Sequence, residues 1–409
     1  MGETFLTHVD IVKVRHLQNI TIPLGQANRK HLILTGKNGS GKTSVLDALA
    51  DHLRFIVDDF VTKEKIQDLI VYLEKKLSDG SSESGKQKDL QTRKDLDFWR
   101  KKLEHWTKGA IVGCTSVAEL CEKYNQGKFI LAYYKADRVS KVEISNTIET
   151  IRVQEKYKLD ETPGTKLIKY MVALKATQAF AQQKKDDKRA AEIEAWFDRF
   201  EGILKRVFDD PTLKLDFDID NFRFSILQEN REPFDFNTMS SGYSAVFDII
   251  NDLTMRMENG QTNDVEGIVL IDEIDTHLHL ELQKNILLIL TEMFPGIQFI
   301  VSTHSPFILN SIKNAVVFDL ETRKLVENGL ANCTYDGIVE GYFESDLLSS
   351  DLRSKLERYR LLTQKADLTD EDYAEIVGLE LDLDEIPDFL SPEIASEYSR
   401  LKLEFSVRG

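Results

Sequence analysis

The hydrophobic pattern of the first part of the chain predicts strands around a glycine-rich loop. Residues 5–24 mix alternating and apolar stretches rich in Val and Ile, which predicts the two strands of a β-hairpin. The apolar run His31–Thr35 leads into a glycine-rich segment, and helical spacing follows over Ser44–Ala50. We therefore expect a strand, a loop and a helix in direct succession. Residues 213–227 alternate cleanly and predict a second hairpin.

Two helical stretches interrupt these strands. Over residues 55–107, apolar positions recur at helical spacing on both sides of the turn-rich segment 78–85, which predicts a short antiparallel helical hairpin. A second helical stretch covers residues 165–208, and its highly charged part, 182–189, predicts an exposed helix or a kink. Helical arms of this kind indicate insertions into a larger domain.

Apolar runs in the rest of the chain predict a parallel sheet. Strand-like segments at 129–134, 267–271 and 298–302 are separated by helical segments, including 280–293. The succession of strand, helix and strand is typical of a mainly parallel sheet covered by helices. The C-terminal region has helical spacing, with a break near Ala366.

Composition and charge indicate a folded protein with an acidic C-terminal region. The 409 residues are 42% hydrophobic and include only 8 Pro and 21 Gly, which excludes a mainly disordered or fibrous chain. The formal net charge is −16. Residues 331–409 include 19 acidic and 8 basic residues. The net charge of residues 1–330 is therefore closer to zero, and this part of the chain can carry a basic patch. The N-terminus lacks a basic segment followed by an apolar run, and no long apolar stretch occurs. We expect a cytoplasmic protein without a membrane partner.

The cysteines do not point to a disulfide framework or a metal site. Cys114, Cys121 and Cys333 are odd in number and follow no CxxC spacing. We expect them to be structural thiols.

The segment Gly36–Thr43 matches the phosphate-binding pattern G-x-x-x-x-G-K-[ST] in full. It lies between a predicted strand and a predicted helix, which is the context that such a loop requires. Glycines let backbone N–H groups converge on phosphate oxygens, Lys42 reaches the β- and γ-phosphates, and the Thr43 hydroxyl ligates Mg²⁺. The predicted nucleotide-binding residues of this loop are Gly36, Lys37, Asn38, Gly39, Ser40, Gly41, Lys42, Thr43 and Ser44.

Two carboxylates follow the apolar run 268–271. Asp272 is suited to hold the hydration shell of Mg²⁺, and Glu273 is suited to polarise an attacking water as general base. His304 follows the next predicted strand, where it could hydrogen-bond the γ-phosphate. The predicted catalytic residues are Glu273, His304 and Lys42, and the predicted metal ligands are Thr43 and Asp272.

Ser240, Ser241 and Gly242 precede an apolar helix and lie about 30 residues before the carboxylates. A serine at a helix N-terminus is ordinarily an N-cap. A hydroxyl, a glycine and free helix N–H groups also form an anion site, which could close on a nucleotide held by another subunit. We count these three residues among the predicted nucleotide-binding residues.

The four elements, in this order, resemble the ABC-type P-loop ATPases, in particular the branch that includes SMC-like DNA-repair proteins and prokaryotic defence ATPases. The resemblance makes residues 36–43 the P-loop, 240–242 the signature segment, Asp272 and Glu273 the Walker B carboxylates, and His304 the switch histidine. The combination is highly specific, although its parts are not.

Further residues indicate which group of ABC-type ATPases the sequence resembles, and others differ from the usual residues of the family. The run after Walker B, which contains His277 and His279, is similar to that of OLD-like and defence-associated ATPases. The spacing of these two histidines also suits a metal, but no further ligand is near, so we favour a structural role or a dimer contact. Met239 and Tyr243 depart from the usual signature residues. Residues 132–138 occupy the Q-loop region without a glutamine, so no Q-loop ligand is assigned.

The resemblance implies an α/β fold: a P-loop ABC-type ATPase head with a mainly parallel sheet and an antiparallel β subdomain, an inserted helical arm and a helical C-terminal lobe. We expect the head to be split between 1–54 and 129–320, with an inserted helical hairpin at 55–128. A helical lobe within the head is expected at 165–210. An acidic helical region that docks a partner is expected at 321–409.

The resemblance also implies that the chain binds and hydrolyses ATP with Mg²⁺. Its compact size and lack of an evident nuclease resemble the ATPase subunits of the two-gene antiphage systems Septu and PARIS. This implies a homodimer or higher oligomer formed through an ATP sandwich, and a partner effector that is a nuclease. The alternative is a DNA-repair or DNA-sensing SMC-like ATPase that acts on DNA directly, and a third is a scaffold that holds ATP structurally.

Overall fold

The computed structural model divides the chain into two units, Met1–Cys333 and Thr334–Gly409, which are described separately. The expected boundary, at 320/321, lies before the observed one because residues 325–326 return to the central sheet as an edge strand. The residues that the structure describes are 2–59, 63–79, 86–138, 143, 147–258, 265–342, 350–365, 367–384 and 392–408.

The first unit consists of three sheets and the helices that cover them. Its strands are β1 (Leu6–Val14), β2 (Leu17–Pro23), β3 (His31–Thr35), β4 (Gly109–Cys114), β5 (Phe129–Tyr134), β6 (Lys214–Asp218), β7 (Arg223–Leu227), β8 (Glu266–Ile271), β9 (Ile297–Ser302), β10 (Ala315–Asp319) and β11 (Leu325–Val326). Its α-helices are α1 (Lys42–Asp59), α2 (Lys63–Asp79), α3 (Lys86–His105), α4 (Val117–Asn125), α5 (Leu167–Gln183), α6 (Asp187–Val207), α7 (Ser241–Met257), α8 (Leu280–Met293) and α9 (Pro306–Leu309). A 3₁₀ turn covers Pro163–Lys166.

The central sheet has six strands in the order β11-β10-β3-β9-β8-β5. All neighbouring pairs are parallel except the pair of β10 with the edge strand β11. Every residue of β3, β9 and β10 is buried, as expected of strands covered on both faces. The α/β fold with a mainly parallel sheet is therefore confirmed. The strands β10 and β11 were not predicted, and β11 has only two residues, which is too few to show a periodicity.

A separate antiparallel sheet has the order β2-β1-β4. The predicted hairpin of β1 and β2 is confirmed, with Val9 paired to Ile22. β4 adds to the other side of β1, where Val9 pairs with Val112. β4 and α4 lie within the range 55–128 that was expected to be a helical hairpin, so the structure leaves α2 and α3 as the helical arm.

The helical arm formed by α2 and α3 packs its apolar face inward. Ile66, Ile70 and Leu73 of α2 and Leu96 of α3 are buried in the main hydrophobic core. An exposed ion pair joins Arg100 to Glu74 at 2.7 Å, and such a pair contributes little to stability. Most of the predicted turn, 80–85, lies outside the described residues.

The predicted helical stretch 165–208 forms two helices. The charged segment contains the break, because α5 ends at Gln183 and α6 begins at Asp187. The Asp186 side chain accepts a hydrogen bond from the Arg189 amide and caps α6, as an N-cap aspartate should. The predicted hairpin at 213–227 is confirmed as β6 and β7.

A buried ion pair fixes α7 against the central sheet. Arg256 donates to Asp252 at 2.6 Å, and both side chains are 3% exposed. Arg256 also donates to the backbone oxygens of Leu131, Lys158 and Glu161. Tyr134 and the Gly164 amide donate to the same Asp252 carboxylate. The full set of hydrogen bonds satisfies both buried charges.

The second unit is helical, as predicted. Its elements are α10 (Tyr335–Gly337), a π-helical turn (Ile338–Tyr342), α11 (Ser350–Gln364), α12 (Asp370–Asp384) and α13 (Pro392–Arg408). Tyr359, which is fully buried, lies in a small core with residues of all three longer helices. The predicted break near Ala366 is confirmed, because α11 ends at Gln364 and α12 begins at Asp370, although Ala366 itself lies outside the described residues. Among the described helices of either unit, none has the length and apolar character that crossing a membrane requires.

Candidate functional site

The glycine loop forms a tight turn between β3 and α1. Gly36 and Gly41 have φ angles of +133° and +102°, which L-residues with side chains rarely adopt. A Cβ on Gly36 would lie 2.8 Å from Ser40 Oγ, and one on Gly41 would lie 3.0 Å from Leu17 Cδ1. The backbone of this loop therefore requires glycine for both conformational and steric reasons.

Lys42 is folded into the loop and is 5% exposed. Its Nζ donates to the carbonyl oxygens of Gly36 at 2.8 Å and Lys37 at 3.2 Å. Burial lowers the pKa of Lys42, whereas Glu273 and Asp272 act in the opposite direction. The ammonium group therefore lies within electrostatic reach of both Walker B carboxylates.

Ser302, the last residue of β9, forms hydrogen bonds with the two residues that follow β8. Its hydroxyl donates to Asp272 Oδ1 at 2.5 Å and accepts from the Glu273 amide at 2.8 Å. Asp272 is 2% exposed, so a charge-assisted hydrogen bond of this kind orients it strongly. The sequence analysis did not include Ser302 among the site residues, because a serine two positions before His304 shows no sequence pattern that pairs it with Asp272.

Glu273 adopts an unusual backbone conformation. Its φ angle is +46°, in the left-handed region that is costly for a residue with a side chain. Arg138 donates from Nη1 to the Asp272 carbonyl and from Nη2 to the Glu273 carbonyl, both at 3.0 Å. The Thr276 hydroxyl donates to Glu273 Oε2 at 3.1 Å. Both the backbone and the carboxylate of Glu273 are thus held in place.

His304 follows β9 in a segment that two hydroxyl groups anchor. Thr303 Oγ1 donates to Asp275 Oδ1 at 2.5 Å, and Ser305 Oγ donates to Gln283 Oε1 at 2.7 Å. Burial lowers the pKa of His304, and the charge of Lys42 lowers it further. The imidazole is therefore neutral near pH 7, and it lies within electrostatic reach of the P-loop lysine.

The signature segment packs against the loop after Walker B. Gly242 is buried, and a Cβ there would lie 2.7 Å from the carbonyl oxygen of His277. The Tyr243 and His279 rings form an edge contact with centroids 5.5 Å apart. The His279 ring thus packs on Tyr243, whereas His277 contacts the segment through its backbone. No group of three His, Cys, Asp or Glu side chains among the described residues is arranged to hold a metal.

The two serines of the signature segment are exposed at the start of α7. Ser240 occupies the N-cap position, but within the described residues its side chain makes no capping hydrogen bond. The ordinary N-cap interpretation therefore does not account for its hydroxyl.

The P-loop, the Walker B carboxylates and His304 all follow parallel strands at the same edge of the central sheet. β9 lies between β3 and β8, so the residue after each strand is carried to this edge, where ligands bind in open α/β sheets. The signature segment contacts the loop 277–279 instead. Arg138, in the Q-loop region, was not predicted as a site residue, because nothing in local spacing links it to Walker B.

The donor set at this edge fits a nucleotide phosphate with a hydrated magnesium ion. Lys42 supplies a buried ammonium, α1 supplies the N–H groups of its first turn, and Thr43 supplies an exposed hydroxyl. The buried Ser40 Oγ has no hydrogen-bond partner among the described residues. Oxygen ligands such as Thr43 and Asp272 are the type that Mg²⁺ prefers.

Known proteins with related sequences include Septu proteins and retron proteins named as probable ATPases. A family model described as "AAA domain, putative AbiEii toxin, Type IV TA system" matches residues 135–310. The Septu protein PtuA of Bacillus mycoides (strain KBAB4) is 26% identical over 92% of this chain and 50% of its own length. The "Retron Ec83 probable ATPase" of Escherichia coli is 32% identical over 29% of this chain and 23% of its own length.

Similarity to solved structures is weaker. An SMC head bound to the C-winged helix domain of ScpA has a TM-score of 0.40 and 14% identity, covering 81% of this chain and 100% of that one. The chain spans about half the length, or less, of the two curated relatives described above. The relatives and the family match confirm the resemblance to ABC-type P-loop ATPases of defence systems, and the similarity to PARIS stays a prediction.

Proposed function

We propose that the chain binds ATP with Mg²⁺ and hydrolyses it at the edge of the central sheet. One observation carries the proposal: the buried Lys42 ammonium of the P-loop lies within electrostatic reach of Asp272 and Glu273, which Ser302 and Arg138 hold in fixed positions. A cation in the phosphate loop, near carboxylates that hydrogen bonds hold in place, is the arrangement that phosphoryl transfer uses.

The side chains have distinct roles in the proposed reaction. Lys42 and the first-turn N–H groups of α1 bind the phosphates and stabilise the charge that develops on the transferred group. One Asp272 oxygen accepts from Ser302, and the carboxylate, together with Thr43, would hold Mg²⁺. Bound Mg²⁺ would neutralise charge on the β- and γ-phosphates.

Glu273 is the proposed general base. Thr276 donates to Oε2, which leaves Oε1 to accept a proton from the attacking water. His304, being neutral, can donate a hydrogen bond to a γ-phosphate oxygen without adding a charge. A catalytic base and a hydrogen-bond donor held in this way require little reorganisation during the reaction.

We further propose that two copies enclose ATP between the P-loop of one and the signature segment of the other. Support comes from the exposed Ser240 and Ser241 at the N-terminus of the 17-residue helix α7. The partial positive charge of a helix N-terminus favours phosphate. A side chain at position 242 would clash with His277, so the loop after Walker B moves with the signature segment. ATP binding in one copy would thus be linked to Walker B in the other.

The proposed biological role is control of a partner effector, a nuclease, in antiphage defence. The similarity to a Septu PtuA over 92% of the chain supports this role. Helix α12 of the second unit leaves Tyr373, Val377 and Leu381 more than half exposed at a spacing of four residues. A stripe of apolar residues on an exposed helix face is typical of a protein-docking surface.

Direct action on DNA is the second candidate function. Helix α3 of the arm has seven basic and four acidic residues in a chain of net charge −16. Phe98 is half exposed there, with the Lys102 ammonium 4.8 Å from its ring. Basic and aromatic side chains together favour nucleic acid. Turnover that DNA stimulates, with a steep loss at higher salt, would support this alternative.

The test combines phosphate release with mass in solution. Wild-type protein should release phosphate, Lys42→Ala should neither bind nor hydrolyse ATP, and Glu273→Gln should bind ATP but retain only a small residual turnover. Light scattering of Glu273→Gln should show a doubled mass with ATP and Mg²⁺. The exposed Lys313→Ala serves as the matched control for Lys42→Ala. Equal turnover by all four proteins would overturn the ATPase proposal. A monomer mass of Glu273→Gln that ATP and Mg²⁺ do not change would overturn the proposal that two copies enclose ATP.

A further inference from the structure

Arg138 reaches across the fold to the backbone of the Walker B carboxylates. Its two Nη atoms donate to the carbonyl oxygens of Asp272 and Glu273, which are 134 and 135 residues away in sequence. Both distances are 3.0 Å. The planar guanidinium group presents its N–H donors in a rigid fork, so it can hold two successive carbonyl groups at once.

These carbonyl groups flank the strained position in the site. Glu273 has a φ angle of +46°, and strained residues persist only where the surroundings over-determine their conformation. Ser302 accepts from the Glu273 amide through its hydroxyl and from the Ile274 amide through its carbonyl oxygen. The amide side of Glu273 is therefore fixed by β9, and the carbonyl side is fixed by Arg138.

Arg138 is also surrounded by acidic side chains from two parts of the fold. Burial lowers its pKa, whereas Asp248 of α7 and the carboxylates of Asp272, Asp275 and Glu273 raise it. Arg138 and Asp248 line a cavity of about 310 Å³. The guanidinium therefore lies between Walker B and the helix that begins with the signature segment, and it stays charged at any ordinary pH.

We propose that Arg138 is a positioning residue that holds the peptide groups of Asp272 and Glu273 and so aims the Glu273 carboxylate at the attacking water. The inference rests on the proposed ATPase function. Loss of the fork would let the Glu273 backbone relax towards ordinary φ values and would misplace the base. A displacement of about 1 Å at a reacting group can lower a rate by about 100-fold.

The first test separates catalysis from binding. Arg138→Met should lower kcat about 30- to 100-fold, while the Kd for a fluorescent ATP analogue changes less than about threefold. Arg138→Lys should recover only part of the rate, since an ammonium group cannot reproduce the fork. In the Glu273→Gln background, Arg138→Met should cause no further loss, because both changes remove the same function. The exposed Arg152→Met is the matched control.

A second measurement does not depend on ATP turnover. Hydrogen exchange followed by mass spectrometry should show faster exchange in peptides that cover residues 272–278 of Arg138→Met, and unchanged exchange in β3. Wild-type kcat in Arg138→Met, a loss additive with that of Glu273→Gln, or unchanged exchange at 272–278 would each overturn the proposal. If wild-type protein released no phosphate, the ATPase proposal would fall, while faster exchange would still support the structural role of Arg138.

Discussion

A Cβ atom on Gly242 would lie 2.7 Å from the carbonyl oxygen of His277. The glycine near the start of α7 is therefore in direct contact with the loop that follows the Walker B carboxylates. His277 itself has a φ angle of +67°, in the left-handed region that is costly for a residue with a side chain. The signature segment and the loop after Walker B consequently behave as one packed surface.

Replacing this glycine should separate the two segments. In Gly242→Ala the methyl group must displace the His277 backbone or the start of α7, because such a short contact with backbone atoms cannot be relieved by a rotamer change. We expect a loss of about 1–3 kcal/mol in the free energy of unfolding and no ATP-dependent dimer in light scattering.

Gly202→Ala is the control for that prediction. Gly202 lies within α6, and a Cβ there meets no atom within 4 Å. Alanine should stabilise that helix by about 0.5–1 kcal/mol. A Gly242→Ala protein that dimerises with ATP as the wild type does would show that the contact is dispensable.

Ser302→Ala should impair hydrolysis more than nucleotide binding. The substitution removes the donor to Asp272 Oδ1 and leaves the Glu273 amide without its acceptor. A buried group left unsatisfied costs about 1–3 kcal/mol, and part of that cost should appear as misplacement of the two carboxylates. Each 1.4 kcal/mol lost from transition-state stabilisation lowers the rate about tenfold. We therefore expect the rate of phosphate release by Ser302→Ala to fall about tenfold or more. Ser406→Ala, on an exposed face of α13, should leave the rate unchanged, and equal rates in both variants would contradict the assigned role.

Acid should destabilise the first unit through His31. Burial, with a smaller effect of Arg29, lowers the pKa of His31 to about 4, and Nδ1 accepts a hydrogen bond from the Phe299 amide at 3.0 Å. The unfolded chain binds a proton near pH 6.5 that the folded chain binds only near pH 4. Stability is therefore fully present above pH 6.5 and is lost as the pH falls towards 4, on the order of 3 kcal/mol in total.

To test this effect, the free energy of unfolding of the wild type and of His31→Asn is measured at pH 7.5 and at pH 5. His31→Asn keeps an acceptor for the Phe299 amide but does not titrate. Between these two pH values the wild type should lose about 2 kcal/mol more than the variant. Identical pH dependence in the two proteins would show that His31 does not couple protonation to folding.

Asp252→Asn should be strongly destabilising. Arg256 would keep its carbonyl partners but lose the charge that balances it, and both side chains are 3% exposed. Breaking a buried pair by removing one charge costs about 3–5 kcal/mol. The exposed pair of Arg54 and Asp51 provides the contrast, because Asp51→Asn should cost less than about 1 kcal/mol. Similar urea midpoints for the two variants would contradict the importance of the buried network.

Local patterns predicted much of the fold and its motifs. The hairpin of β1 and β2, the succession of β3, glycine loop and α1, and helix α8 all follow from hydrophobic period and glycine placement within a short window. β4 was missed, because it has two glycines among its six residues and follows directly on the helical pattern of α3. Its place beside β1 depends on a long-range pairing. The expected domain boundary fell early because the two-residue strand β11 has no sequence signal of its own.

The sequence by itself determined the order of the glycine-rich loop, the acidic pair and His304 along the chain, because each is a short motif at the end of an apolar run. Only the tertiary structure decided which side chains hold them. Arg138 meets the Asp272 and Glu273 carbonyls, Ser302 bridges β8 and β9, and Gly242 packs on His277. These contacts join residues that are 29 or more positions apart in sequence, and they arise from how distant strands, helices and loops pack together, which no local pattern encodes.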